Sequence, residues 1–99
     1  MKDIVSFDTA KRLKEAGFPQ PAPAPGQFWY NSECVIFYIY AANKNIISKQ
    51  DMHSGAFFDD VPMDDSDIYV PTRKQILKLI PFDIGRKNAA NAWLSINAK

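Results

Sequence analysis

Ninety-nine residues, 46% of them hydrophobic and 13% aromatic with a net charge of +1, describe one globular domain over residues 1–99 and exclude a disordered or strongly polyionic chain. The sole cysteine, Cys34, excludes an internal disulfide, and no apolar run approaches the roughly 18 residues that a membrane span needs. The opening "MKDIVSFDTAKRLKEAG" lacks the apolar core of a signal peptide, so the expectation is a cytoplasmic protein with no membrane partner.

The small net charge hides a segregation. Residues 1–50 carry six basic and four acidic groups, residues 51–70 carry none and six, and residues 71–99 carry six and one. Blocks of opposite sign attract each other within a fold or recruit partners of opposite charge.

In chain order, the first element is a helix over residues 7–16. Ser6 caps its free amides, Asp8 puts negative charge at the positive end of the helix dipole, and Gly17 supplies the left-handed residue that ends it. Phe7, Ala10 and Leu13 form the apolar stripe, and Phe18 folds back on Leu13. "PQPAPAPG" then places four prolines in seven positions, which blocks helix and central strand. No basic residue stands close beside it, so it reads as a strap rather than as a ligand for a proline-binding domain.

From Gln27 the chain turns aromatic and β-branched. "QFWY", "CVIFYIY" and "IIS" read as three antiparallel strands with turns at residues 31–33 and 42–45. In the middle strand Val35, Phe37 and Ile39 point one way and Cys34, Ile36, Tyr38 and Tyr40 the other, so neither face is polar. "DIYV" suits a short fourth strand. Thr72 and Gln75 make a capping box for a helix "RKQILKLI", with Ile76, Leu77 and Ile80 inward and Pro81 as its stop. Asp83 caps a last helix whose Ala89, Ala90, Trp93, Leu94 and Asn97 share one side. The class is α+β: an N-terminal helix, a three- to four-stranded antiparallel sheet, and two C-terminal helices packed mainly on one face.

Chemistry is sought first in "DDVPMDDSD", residues 59–67, which holds five of the eleven acidic residues. An EF-hand needs oxygen ligands at loop positions 1, 3 and 5. Starting at Asp59 puts Val61 and Met63 there, starting at Asp60 puts Pro62 at position 3, and starting at Asp65 puts Tyr69 at position 5. No frame fits, so the stretch reads as a solvated loop, then as a partner surface, and only then as a cation site from Asp64, Asp65 and Asp67. Cys34 and His53 allow a nucleophile and base on paper, but Cys34 opens the most apolar strand, where a thiol behaves as a small buried hydrophobe. Two thiol or imidazole ligands do not close a structural zinc site, and phosphate-loop and nucleophile-elbow motifs are absent. The expectation is a non-enzymatic chain without cofactor or metal.

"VSFDTAKRLKEAGFPQP", "YVPTRKQIL" and "AANAWLSIN" resemble small bacteriophage and prophage proteins of unknown function met in gut Bacteroidetes. Those chains begin with an "xSFExAKxLKEAGF" helix, and many continue to a "YAPT" helix start and a final "AxxxWLxLN" helix. The resemblance covers about the first twenty residues and the last thirty, and its motifs are caps and core stripes. It implies a phage-derived accessory protein inside a bacterial cell and carries over no activity. Two functional expectations follow. The first is a protein partner or self-association, as a homodimer, through a surface that includes Tyr38, Tyr40, Asp64, Asp65 and Asp67. The alternative is nucleic-acid association through the basic residues Arg73, Lys74, Lys78, Arg86 and Lys87.

Overall fold

A computed structural model of the chain describes residues 4–80 and 86–97. It is an α+β protein with one five-stranded antiparallel sheet and three helices. The chain divides into two compact units, one formed by residues 1–19 with 70–99 and the other by residues 20–69.

The helical unit begins with α1, Phe7–Glu15. The Ser6 side chain accepts from the Thr9 amide, as its place before the apolar stripe requires. At the other end the Phe18 amide donates to Leu13 O at 2.9 Å and the Gly17 amide to Lys14 O at 3.0 Å. That pair is a Schellman stop, and it needs the left-handed conformation that Gly17 adopts at φ 95°. Helix α2 covers Arg73–Leu77, and both halves of the Thr72–Gln75 capping box are formed. It is shorter than the run "RKQILKLI": Lys78 caps it and residues 78–80 continue as turns, because the residue before Pro81 is disfavoured in helical backbone. Helix α3, Arg86–Asn97, contacts both α1 and α2. Ala10, Leu13, Ile76, Ala89, Ala90, Trp93 and Leu94 are buried, and the Phe18 and Trp93 rings meet edge to face at 5.0 Å. The proposed cap Asp83 lies outside the described residues.

The sheet unit contains β1 (Phe28–Tyr30), β2 (Ile36–Asn43), β3 (Ile46–Asp51) and β4 (Phe57–Pro62), and β5 (Ile68–Val70) completes the sheet in the order β4-β3-β2-β1-β5. Strand β4 is one more than the sequence reading allowed. It runs through Asp59 and Asp60, so the first part of the acidic stretch is an edge strand and not a loop. The charges themselves are the reason it stayed hidden, because charged residues are depleted in strands and yet suit an edge strand that must resist pairing with other chains.

Three turns are held by side chains that curl the backbone. Asn31 Oδ1 accepts from the Glu33 and Val35 amides, at 2.8 and 3.1 Å. Asp51 Oδ1 accepts from the His53 and Ser54 amides, at 2.7 and 3.0 Å. Asp64 Oδ1 accepts from Ser66 N–H and O–H while Asp67 Oδ2 accepts from the Asp64 amide. Short Asn and Asp side chains form such turns because they bond amides two residues on.

Cys34 departs from the expectation of a buried strand residue. It does not open β2: the Asn31 turn extends through it, it takes φ 65°, and it is exposed. The first paired residue of β2 is Ile36, two positions later. Its apolar character suits the strand, but the hydrogen bonds of the Asn31 turn claim it.

Candidate interaction surface

Register assigns side chains to the two faces of the sheet, since residues directly opposite in an antiparallel pair point the same way. One face collects Trp29, Phe37, Ile39, Ile47 and Tyr69 as a buried cluster, with Ala42, Val61 and Met63 packed against it. Trp29 and Tyr69 meet edge to face at 5.2 Å. The proline strap is tied to this same side through Gln27. Its Oε1 accepts from Trp29 Nε1–H and from the Ala24 amide, both at 2.9 Å, and its Nε2 donates to Ala22 O. Gly26, at φ 94°, lets the chain turn from the strap into pairing with Ile39. The strap therefore does not lie over Tyr38 and Tyr40.

The opposite, outer face is built in rows. Tyr30 pairs with Ile36, and the Met52 amide donates to Ile36 O. Phe28 pairs with Tyr38, Tyr38 with Gln50, and Gln50 with Phe57. Asn43 pairs with Ile46 and Ile46 with Pro62. Between these rows both neighbours of β3 are irregular at the same height. The β2 register jumps from Ile39 to Ala41, leaving Tyr40 as an extra residue, and the β4 register jumps between Val61 and Phe58, leaving Asp59 and Asp60 opposite Ser48. Asp60 takes φ 52°, a conformation that Asp tolerates better than most side chains. Bulges re-aim side chains, and here they aim Tyr40 and Asp59 at each other across the small Ser48.

The result is a compact polar and aromatic group. Tyr40 O–H donates to Asp59 Oδ1 at 2.5 Å, and the Tyr40 ring meets Phe57 edge to face at 5.8 Å. Phe28 and Tyr38 form a second ring pair at 5.1 Å. The hydrogen bond to Asp59 holds the Tyr40 hydroxyl above its usual pKa, because losing the proton would place two negative oxygens side by side. Burial raises Tyr30. Asp51 moves the other way: amides, that of Ser54 foremost, stabilise its charged form.

This face is open. Phe57 is 65% exposed and Tyr40 38%, with Ile46 and Met52 also exposed. Tyr38 is half-buried beside Phe28. The other sequence-named residues do not join them. Asp64 and Asp67 close a turn beyond the end of β4, with Asp67 buried and Asp65 exposed at the turn's tip. The residues that complete the Tyr40 site, Phe57 and Asp59, escaped sequence reasoning; the available signal was the doublet "FFDD", in which aromatics run straight into carboxylates. Arg73, Lys74 and Lys78 are exposed on or beside α2, whereas the side chains of Arg86 and Lys87 lie outside the described set.

Cys34 and His53 sit in turns at the same end of the sheet, but among the described residues no hydrogen bond joins them. Among the described residues no group of three or more His, Cys, Asp or Glu is gathered as a metal ion would require. No helix among them is long and apolar enough to cross a membrane. Protein-family models, curated proteins and solved structures yield no match to this chain.

Proposed function

We propose that this protein is a small non-enzymatic binding module that engages another protein through the outer face of its sheet. The observation that carries the reading is the exposure of Phe57 and Tyr40 within a face that also holds Phe28, Tyr38, Ile46 and Met52. Aromatic rings left in water on one contiguous face suit an interface, where tyrosine buries a large ring and keeps its hydroxyl bonded. The resemblance of the terminal segments to phage and prophage proteins supports a partner inside a bacterial cell.

The test is a double variant, Tyr40→Ser with Phe57→Ser, carried as bait beside the wild type in bacterial extract. The expected result is a folded variant, melting close to the wild type, that loses a protein retained by the wild type. A variant that unfolds like a core mutant, or one that retains the same protein, overturns the reading. Light scattering at micromolar concentration shows whether that partner is a second copy. The exposed Arg73, Lys74 and Lys78 favour a second reading, association with nucleic acid. Retention on a DNA or RNA column that falls steeply with salt selects it.

A further inference from the structure

We infer that the outer face receives a basic segment of its partner, with an arginine side chain lying against Phe57 and Tyr40 and pairing with Asp59 and Asp60. This rests on the protein-binding reading above and adds the chemistry of the partner.

The argument is charge complementarity at an aromatic surface. Asp59 shares one oxygen with the Tyr40 hydroxyl, and a carboxylate has room for further donors on its second oxygen. Asp60 stands beside it in the same bulge, close enough to act electrostatically on Tyr40. Among the described residues neither carboxylate is paired with a cation. The segment that carries them, residues 51–70, contains no lysine or arginine. Lys49, the basic residue of β3, is on the other face, with its ammonium 4.3 Å from the centre of the Phe37 ring. The same contact shows the kind of pairing that the outer face leaves open, a cation against an aromatic ring.

An arginine satisfies both halves of the site. Its planar guanidinium stacks on a ring and donates to carboxylates through a fixed fork, which a lysine does less well. Other occupants fit worse. A second copy docked patch to patch would bring Asp59 and Asp60 against their own counterparts, a like-charge contact that opposes binding. Nucleic acid would bring phosphates to the same carboxylates. An aliphatic partner without charge would cover the rings and leave the carboxylates with lost hydration and nothing gained.

The experiment titrates the isotopically labelled protein with three capped peptides that differ at two positions: a leucine flanked by two arginines, by two glutamines, or by two glutamates. Backbone and aromatic signals of Tyr40, Phe57, Asp59 and Asp60 report the site. The arginine peptide is expected to bind there about fivefold more tightly than the glutamine peptide, as one exposed cation–π contact and one exposed ion pair together allow. The glutamate peptide is expected to be weakest, and half-molar salt to reduce the difference. Asp59→Asn with Asp60→Asn, which keeps shape and one acceptor oxygen at each position, is expected to narrow the gap between arginine and glutamine peptides to about twofold, what the cation–π contact alone supports. If the glutamine peptide binds the same residues as tightly as the arginine peptide in the wild type, the charge inference fails and the docking face stands. If none of the three moves these signals more than those of Trp29 and Phe37, the face is no docking surface and both readings fall.

Discussion

Both faces of the sheet carry aromatic side chains and yet behave differently. On one, Trp29, Phe37, Ile39, Ile47 and Tyr69 are buried together; on the other, Phe28, Tyr38, Tyr40 and Phe57 form two separate ring pairs with Phe57 and Tyr40 open to water. The difference lies in what each face offers at its polar points. On the buried side the Trp29 N–H is met by Gln27 and the strap. On the open side the polar point is a carboxylate, Asp59, whose burial without a cation would cost more than the rings beside it gain. A face of aromatics is thereby kept available rather than absorbed into the core.

Truncation separates the two faces by the largest effect. Phe37→Ala, at a fully buried ring, is expected to cost about 3–5 kcal/mol in denaturant unfolding, while Phe57→Ser is expected to stay within about 0.5 kcal/mol. Equal losses at the two sites would show that the outer face is internal to the folded protein.

A smaller effect is expected where the β3–β4 turn hands the chain to Phe57. Asp51→Ala removes the acceptor for two amides and is expected to cost about 1 kcal/mol. Its pH dependence has a definite sign. The folded carboxyl titrates below its usual value, so its contribution is fully present above the unfolded pKa, about 3.9, and is lost as pH falls through the folded one. Asp51→Asn, which keeps the acceptor oxygen, is expected to flatten that acid limb; chemical denaturation between pH 2 and pH 6 checks it.

Tyr40 gives the outer face a signature at the alkaline end. Its raised pKa means that its hydrogen bond supports the fold below the usual tyrosine value of 10.0 and that this support is lost as pH rises through the folded value. Ultraviolet titration should show one tyrosine ionising later in the wild type than in Asp59→Asn, and Tyr40→Phe should remove that step from the curve.

The smallest effect on stability is expected at Cys34. Exposed in its turn, it should react with a thiol reagent in the native protein as fast as after unfolding, and Cys34→Ser should leave the melting temperature unchanged within about 0.5 kcal/mol of stability. Slow native labelling would return Cys34 to the strand.

Much of the fold was legible because its signals are local. Ser6 and Gly17 bound α1, Thr72 and Gln75 start α2, and alternation along residues 35–40 sorted Phe37 and Ile39 from Tyr38 and Tyr40, as the structure has them. Each of these is decided by hydrogen bonds or side-chain direction within a few residues, where composition and spacing are sufficient. The edge strand β4 was not legible, since its partner β3 supplies the hydrogen bonds that make it a strand and its own residues argue for a loop.

The candidate site divides the same way. That Tyr38 lies on the face opposite Phe37 and Ile39 follows from a period of two, and the sequence alone determines it. That Tyr40 meets Asp59, nineteen positions away, while Asp64 and Asp67 turn on themselves, was decided only by tertiary structure. The reason is register: two bulges opposite one serine shift β2 and β4 by a residue each, and a shift of one residue chooses which side chains face each other. No local pattern encodes that choice, because it is made by three strands at once.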